Sequence, residues 1–298
     1  RWLRSRLDAS ELAAGFGNDA VALARGMHRP VVCTDHTVEG VHYESGTPAR
    51  LAGHKACARA LSDLAASAAR PRVVLAALRA PLATDEGEIR ALLSAIDRTA
   101  RTHGAGLAGG DLCCAEGPLG IAVCALGERP ARIPAIARSR ARPGDALVIT
   151  GPVGGSRLGR HLRFQPRIEA GLWLARCGVR AMMDVSDGLA RDLARLAEAS
   201  GVRIELEHVP IHRDARRTAR ASGRAALEHA LSDGEDHELV AALRPPALAR
   251  ALEGAAQHCP SLAVIGHVLE GSGLAVPAAE GSAKFIEWTG RGGWVHGA

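Results

Sequence analysis

Short apolar runs alternate with helix-like segments along the chain, and this alternation restricts the fold more than any other feature. Residues 73–78 and 119–126 are rich in apolar and β-branched side chains and predict strands. Residues 51–69 and 85–103 carry apolar positions at helical spacing and predict helices, the second with Thr84 as its N-cap. Strands and helices mixed in this order predict an α+β protein built from packed layers.

The second half of the chain repeats the alternation after a change in composition. Residues 129–142 hold two prolines and five arginines without a clear period, which is typical of a connection. We therefore predict two domains, residues 1–137 and residues 138–298, in agreement with the length of the chain. A strong helix is predicted at residues 187–199, with Ser186 as its N-cap.

Charge and composition exclude several classes of protein. The net charge of +5 comes from scattered arginines, and only 3% of residues are aromatic, so we expect no nucleic-acid partner. No run approaches the roughly 18 apolar residues of a membrane helix, and no secretory signal is visible, so we expect no membrane association. The seven cysteines contain no C-x-x-C pair and favour a reducing cytoplasm.

Aspartates sit at the ends of apolar strands or beside small residues. The positions that share this property are Asp19, Asp35, Asp63, Asp111, Asp184 and Asp187. Asp187 in a first helical turn and Asp111 in a turn after two glycines each have an ordinary structural explanation. Asp63 has none, because a helix-interior aspartate among apolar neighbours caps nothing. Together the carboxylates indicate a site for a hard cation such as Mg²⁺, which binds one or two carboxylates together with substrate phosphates.

A glycine-rich loop at residues 151–156 is a second candidate for phosphate binding, through its backbone N–H groups. It lacks the G-K-[ST] of a P-loop, and glycine turns are common without any ligand. The chain contains no hydrolase elbow, zinc-protease motif or kinase catalytic loop.

Taken in order, these segments resemble the thiamine-monophosphate kinase family, in the aminoimidazole-ribonucleotide-synthetase-like superfamily. The matching motifs are Gly-Asn-Asp-Ala at 17–20, Thr-Asp-His-Thr-Val-Glu-Gly-Val-His-Tyr at 34–43, His-Lys-Ala-Cys-Ala-Arg-Ala-Leu-Ser-Asp-Leu-Ala-Ala at 54–66, Gly-Gly-Asp at 109–111, Arg-Pro-Gly-Asp at 142–145, Val-Ile-Thr-Gly at 148–151, His-Leu-Arg-Phe-Gln-Pro-Arg at 161–167, Met-Asp-Val-Ser-Asp-Gly-Leu at 183–189 and Gly-Glu-Asp-His-Glu-Leu at 234–239. Each motif is modest, but their order and spacing cover nearly the whole chain.

The resemblance implies a homodimer with two α+β domains per chain. Residues 1–137 would form a mixed α/β domain that binds metal and ATP and pairs strands across the dimer interface, and residues 138–298 would form an α+β sandwich. The implied reaction is ATP-dependent phosphorylation of thiamine monophosphate to thiamine diphosphate, with ATP as co-substrate. The transfer would be direct, would use several Mg²⁺ ions and would need no nucleophilic side chain on the enzyme.

The resemblance also implies residue roles, which we carry over position by position. Magnesium ligands would be Asp19, Thr34, Asp35, Asp63, Asp111, Asp184 and Asp187. ATP contacts would be Gly110, Asp111, Arg138 and Ser186. Substrate contacts would be His42, Glu235 and Trp288, the last stacking against the thiamine moiety.

The chain departs from the family pattern at a few places. Asn18 stands where the family usually has aspartate, Cys33 where it has Ser or Thr, and Gly155 where it has aspartate after the glycine. The connection from Ser156 to His161 is also much shorter than the helix and connector usual in the family. Two alternatives therefore stay open. One is an ATP-using relative with a different acceptor, and the other is a non-catalytic paralogue that binds nucleotide or thiamine phosphate.

Overall fold

The computed structural model describes residues 26–290 and Gly293, together with the backbone of two short strands, β1 (Leu12–Ala14) and β2 (Ala22–Leu23), which pair antiparallel. These residues form two compact units. The N-terminal unit comprises the described residues up to Leu64, Ala69–Ala131 and Leu162–Ile168. The C-terminal unit comprises Ala65–Ala68, Arg132–His161 and the described residues from Glu169 onward. The domain boundary after residue 137 and the separate domain roles stay predictions.

The N-terminal unit is a four-stranded sheet with two helices. Its elements are β3 (Pro30–Val38), α1 (Ala49–Ala66), β4 (Arg70–Ala80), α2 (Glu86–Thr102), β5 (Gly106–Cys114) and β6 (Gly120–Glu128). The strand order is β3-β6-β4-β5, antiparallel except for the parallel pair β4–β5. Parallel neighbours require a crossover connection, which α2 provides. The edge strands are therefore β3 and β5.

One face of this sheet is buried and the other is open. On β6, Ile121, Val123 and Ala125 are fully buried, and the residues between them are only partly buried. This alternation is the period of two expected for a strand covered on one side. On the open side, Val32 of β3 is 62% exposed.

The C-terminal unit is a seven-stranded sheet with five helices. Its elements are α3 (Ile168–Cys177), β7 (Ala146–Ile149), β8 (Ala181–Asp184), α4 (Leu189–Ser200), β9 (Arg203–Leu206), α5 (Arg213–Ser222), α6 (Ala226–Ser232), β10 (Leu239–Leu243), α7 (Pro245–His258), β11 (Ala263–Leu269), β12 (Gly273–Pro277) and β13 (Phe285–Glu287). The strand order is β13-β12-β9-β11-β7-β10-β8. The apolar side of α4, including Leu189, Leu193 and Leu196, is fully buried in the core of this unit. The α+β class predicted for the chain is confirmed.

Both predicted N-caps are wrong by one or two residues. Helix α2 begins after Asp85, not Thr84, because the Asp85 carboxylate accepts the backbone N–H of Gly87 at 2.8 Å. Helix α4 begins after Gly188, not Ser186. Gly188 has a φ of +112°, so the chain turns there before it enters the helix.

None of the helices between residues 26 and 290 combines the length and the hydropathy that a bilayer crossing requires.

Candidate active site

Two predicted metal ligands of the N-terminal unit lie where β3 faces α1. Asp35 on β3 forms an ion pair with Arg59 on α1, with 3.1 Å between Oδ1 and Nη2. The same Oδ1 accepts the backbone N–H of His36 at 3.0 Å. Asp63, one helical turn after Arg59, is half-buried. Burial, followed by the charge of Asp63 and more weakly that of Asp35, raises the pKa of the Cys33 thiol. Both carboxylates therefore lie near Cys33.

Cys33 remains a neutral thiol in this setting. Its Sγ donates to the carbonyl of Ala60 at 3.1 Å, which ties β3 to α1. The thiol thus keeps a hydrogen-bonding role inside the protein, at the position where the family usually has a hydroxyl.

Thr34, Gly110 and Asp111 lie apart from Asp35 and Asp63 within this unit. Thr34 is exposed and alternates with Asp35, so it points to the other face of β3. Asp111 is exposed on β5, and two strands separate β5 from β3. Gly110 precedes it, and a Cβ there would lie 1.9 Å from the carbonyl oxygen of Ala76. Only glycine fits this close approach of β5 to β4.

His42 lies in the turn after β3 and is fixed at two points. Its Nδ1 accepts the backbone N–H of Val38 at 3.0 Å, which leaves the ring proton of a neutral His42 on Nε2. Its carbonyl accepts the ammonium group of Lys55, which is completely buried. The turn therefore presents His42 in one orientation.

In the C-terminal unit, two predicted site residues, Asp184 and Glu235, form a network with their neighbour His237. Antiparallel pairing sets Leu239 of β10 opposite Asp184 of β8, and this register brings residues 235–237 beside the end of β8. His237 lies between two carboxylates, with Nδ1 3.1 Å from Asp184 Oδ2 and Nε2 3.3 Å from Glu235 Oε2. A carboxylate can only accept, so both ring nitrogens donate.

His237 is therefore an imidazolium. Burial opposes its charge, but the hydrogen bonds to Asp184 and Glu235 outweigh it and raise the pKa of His237 to about 9. Glu235 and His237 both have left-handed backbones, with φ of +58° and +52°. Such conformations cost energy in non-glycine residues and are held in place by surrounding structure, commonly at functional sites.

The loop between β8 and α4 is held by hydrogen bonds to Asp192, a residue of α4. Asp192 is fully buried, and its Oδ2 accepts the backbone N–H groups of Ser186 and Asp187, each at 2.9 Å. Its Oδ1 accepts Arg195 Nη1 at 3.1 Å, and the same nitrogen donates to Asp187 Oδ2. Burial and the neighbouring charge of Asp184 raise the pKa of Asp192 to about 7. The loop is therefore already ordered by the protein's own groups.

The glycine loop binds carboxylates of its own chain. The N–H of Gly154 donates to Asp236 and the N–H of Gly155 donates to Asp233, both at 2.9 Å. Arg160 of the short connection donates to the same Asp236 oxygen at 2.8 Å. These amides are occupied, so the loop does not present them to a phosphate as the sequence suggested.

The remaining predicted residues have simpler surroundings. Arg138 is exposed at the start of a 3₁₀ turn, and its carbonyl accepts Ser200 Oγ at 2.6 Å. Trp288 is half-buried and packs against the core of the C-terminal unit. Asp19 lies outside the described residues.

Within each unit, the structure thus groups Asp35 with Asp63, and Asp184 and Asp187 with Ser186 and Glu235. It adds Asp192, Arg195 and His237, which the sequence interpretation missed. Asp192 lies among apolar residues of the predicted helix at 187–199, as Asp63 does in its own helix, and could have been found by the same signal. His237 gives no comparable signal, because an isolated histidine is by default a core or surface residue.

Two family models match the chain: AIR synthase related protein, N-terminal domain, over residues 17–128, and the corresponding C-terminal domain over residues 142–278. The thiamine-monophosphate kinase of Rhodopirellula baltica is 39% identical over 82% of this chain and 80% of its own length.

Two solved structures are similar over most of the chain. The thiamine-monophosphate kinase of Stenotrophomonas maltophilia K279a has a TM-score of 0.79 and 31% identity, covering 92% of this chain and 93% of its own. AaThiL complexed with AMPPCP and TMP has a TM-score of 0.73 and 26% identity, covering 87% of this chain and 86% of its own. With this sequence similarity over both halves and the two-unit α+β fold, the chain belongs to the thiamine-monophosphate kinase family of AIR synthase related proteins.

Proposed function

We propose that this chain is an enzyme that transfers the γ-phosphoryl group of ATP to the phosphate of thiamine monophosphate, forming thiamine diphosphate and ADP. The observation that carries the proposal is the similarity over most of the chain to AaThiL complexed with AMPPCP and TMP. Family membership at 39% identity to a thiamine-monophosphate kinase supports it further.

The reaction joins two anionic phosphates, so positioning and charge neutralisation supply most of the rate. The acceptor is a phosphate oxygen of the substrate, and no side chain forms a covalent bond. Within each unit, carboxylates are the groups that can organise a cation around a phosphate.

The donor chemistry of these residues fits Mg²⁺. Hydroxyl and carboxylate oxygens are its preferred ligands. Between residues 26 and 290 no group of three or more His, Cys, Asp or Glu side chains is arranged to hold a metal ion by itself, but Mg²⁺ needs few protein ligands because it retains waters and binds substrate phosphates. Its holders would be Asp19, Thr34, Asp35, Asp63, Asp111, Asp184 and Asp187. When bound, magnesium would neutralise negative charge on the phosphate oxygens.

The other proposed contacts divide between nucleotide and acceptor. Gly110, Asp111, Arg138 and Ser186 would contact ATP. His42, with its Nε2–H fixed by the Val38 bond, would donate to the thiamine monophosphate. Glu235 and Trp288 would also contact this substrate, Glu235 held by the imidazolium of His237.

We also propose a homodimer formed through the N-terminal unit. Its sheet has an open face with an exposed Val32, and among the described residues no further strand pairs with the edge strands β3 and β5, which suits strand pairing with a second copy. Sedimentation velocity of the wild type against Val32→Asp tests this proposal, and a dimer unaffected by the charge would exclude this face.

We place the enzyme in the cytoplasm. All seven cysteines are free thiols, two of them exposed on β5, and exposed thiols persist in reducing compartments.

A non-catalytic nucleotide-binding paralogue is the second candidate. The observation that favours it is the occupied glycine loop, in which Gly154 and Gly155 bind Asp236 and Asp233.

A coupled assay for thiamine diphosphate separates the two candidates. We expect product that depends jointly on ATP, Mg²⁺ and thiamine monophosphate. No product, with nucleotide binding retained in a thermal-shift measurement, would favour the paralogue or an enzyme with another acceptor.

A further inference from the structure

The loop that joins β8 to α4 carries Ser186 and Asp187, which are proposed ligands of ATP and metal. The backbone N–H groups of such a loop are free to bind a phosphate if nothing else takes them. Here both N–H groups donate to Asp192 Oδ2 at 2.9 Å. The backbone N–H groups of Ser186 and Asp187 are therefore occupied by the protein itself, and these two residues would bind a ligand through their side chains.

Asp192 is rigidly placed. Its side chain is completely buried, and its neighbours Leu189, Leu193 and Leu196 on α4 are fully buried in the core. A buried carboxylate is stable only when its oxygens are satisfied, and Asp192 accepts three hydrogen bonds.

Arg195 extends this arrangement to the side chain of Asp187. One nitrogen of its guanidinium donates to Asp192 and to Asp187 Oδ2, so the buried carboxylate and the proposed ligand share one donor. Arg195 is partly exposed, with 38% of its side chain accessible, and Asp187 is largely covered at 13%. The helix thus fixes Asp187 at its backbone through Asp192 and at its carboxylate through Arg195.

We propose that Asp192 and Arg195 are positioning residues that hold Ser186 and Asp187 in their binding geometry before metal and nucleotide arrive. The proposal rests on the proposed function for the identity of the ligand, and on hydrogen bonds of this chain for the positioning. Neither residue is among the proposed ligands of metal or nucleotide. Groups that orient metal ligands in this way commonly change metal affinity or activity by about 10- to 100-fold when removed.

The first test follows the loop itself and needs no activity. Hydrogen exchange is measured by mass spectrometry on a peptide covering residues 185–188, in ligand-free protein. We expect exchange about 10-fold faster in Asp192→Ala, because two amides lose their acceptor, and a smaller change in Asp192→Asn, which keeps an oxygen there. Glu198→Gln, an exposed change on the same helix, is the matched control. Exchange equal to that of the control would overturn the proposal.

The second test separates positioning from a general effect on folding. Two quantities are measured. The first is the Mg²⁺ concentration at which ATP gives half of its maximal thermal stabilisation of the protein. The second is the rate of thiamine diphosphate formation. We expect Asp192→Asn and Arg195→Gln to raise the Mg²⁺ requirement about 10-fold or more. In an Asp187→Asn background, Arg195→Gln should add less than about 2-fold, because it acts through Asp187. Independent, multiplicative effects would overturn the proposal.

The outcomes also distinguish this inference from the proposed function. A wild type that makes no thiamine diphosphate, but whose stabilisation by Mg²⁺ and ATP depends on Asp192 and Arg195, would exclude the kinase activity and retain the positioning role. A wild type that makes the product, with variants indistinguishable from Glu198→Gln, would retain the kinase and exclude the positioning role.

Discussion

In the N-terminal unit, Asp111 is exposed and Asp35 is half-buried beside Arg59, whereas in the C-terminal unit Asp184 and Asp192 are buried among fixed donors. The difference follows from the cost of burying charge. A hydrated carboxylate needs little support, and a buried one must be given cationic or N–H partners. The first unit thus has carboxylates that a cation can organise, and the second has carboxylates that the protein has already organised.

We expect the largest effect from a substitution in the N-terminal unit, at Asp63. Asp63→Asn removes the charge of a half-buried carboxylate near Asp35 while preserving its size. We expect kcat/KM for thiamine diphosphate formation to fall by about 100- to 1000-fold. The free energy of unfolding should change by less than about 1 kcal/mol. Asp85→Asn, which retains an N-cap on α2, is the control, and full activity of Asp63→Asn would remove Asp63 from the site.

A pH series tests how a buried carboxylate of the C-terminal unit, Asp236, affects stability. Burial raises the pKa of Asp236 to about 7, even though Arg160 and the Gly154 N–H stabilise its charge. The unfolded value is about 3.9, so the folded state retains a proton that the unfolded state has lost. The free energy of unfolding should therefore fall between about pH 4 and pH 7, by at most about 4 kcal/mol, and level off above pH 7.

Denaturant unfolding at pH 5 and pH 8 measures this contribution. Asp236→Asn cannot titrate, so its stability relative to the wild type should increase from pH 5 to pH 8. A constant difference between the two proteins would mean that Asp236 is ionised across this range.

A substitution at Trp288 distinguishes a packing role of this side chain from a ligand-binding role in the C-terminal unit. Its ring packs against the core, so Trp288→Leu keeps an apolar contact and removes the aromatic face. We expect KM for thiamine monophosphate to rise about 10-fold, since stacking contributes roughly 1 kcal/mol or more, with kcat changed little. A loss of stability with an unchanged KM would assign Trp288 to the core alone.

The smallest effect should be at the Arg59–Asp35 ion pair of the N-terminal unit, which is partly buried. Arg59→Met removes one ion-pair partner of Asp35. The side chain of Arg59 is 11% exposed and that of Asp35 is 22% exposed. Partly hydrated pairs contribute little, so we expect a loss of about 1 kcal/mol in the free energy of unfolding. A loss above about 3 kcal/mol in denaturant unfolding would show that Asp35 is as dependent on its partner as a buried carboxylate.

Local sequence patterns were sufficient for the elements and insufficient for their ends. The strand at 73–78 and the helix at 187–199 appear within β4 and as α4, because both depend on short-range periodicity. The start of α4 was misplaced, since Asp192 takes the amides of Ser186 and Asp187 that a helix start would otherwise offer. Competition between a carboxylate in the first helical turn and an N-cap is a contact in space that a linear pattern does not encode.

The network around His237 could not be predicted from the sequence for a related reason. It depends on the antiparallel register that sets Leu239 opposite Asp184 and on left-handed backbones at Glu235 and His237. An isolated histidine gives no signal of either feature. The glycine loop was ambiguous in the sequence, and its occupancy by Asp233 and Asp236 required residues about 80 positions away.

That occupancy has a consequence for the design of inhibitors. The amides of Gly154 and Gly155 already face two carboxylates of the same chain. A phosphonate or other anionic head group directed at this loop would find both amides occupied by Asp233 and Asp236. Phosphate mimics are therefore a poor starting point for compounds directed at this loop.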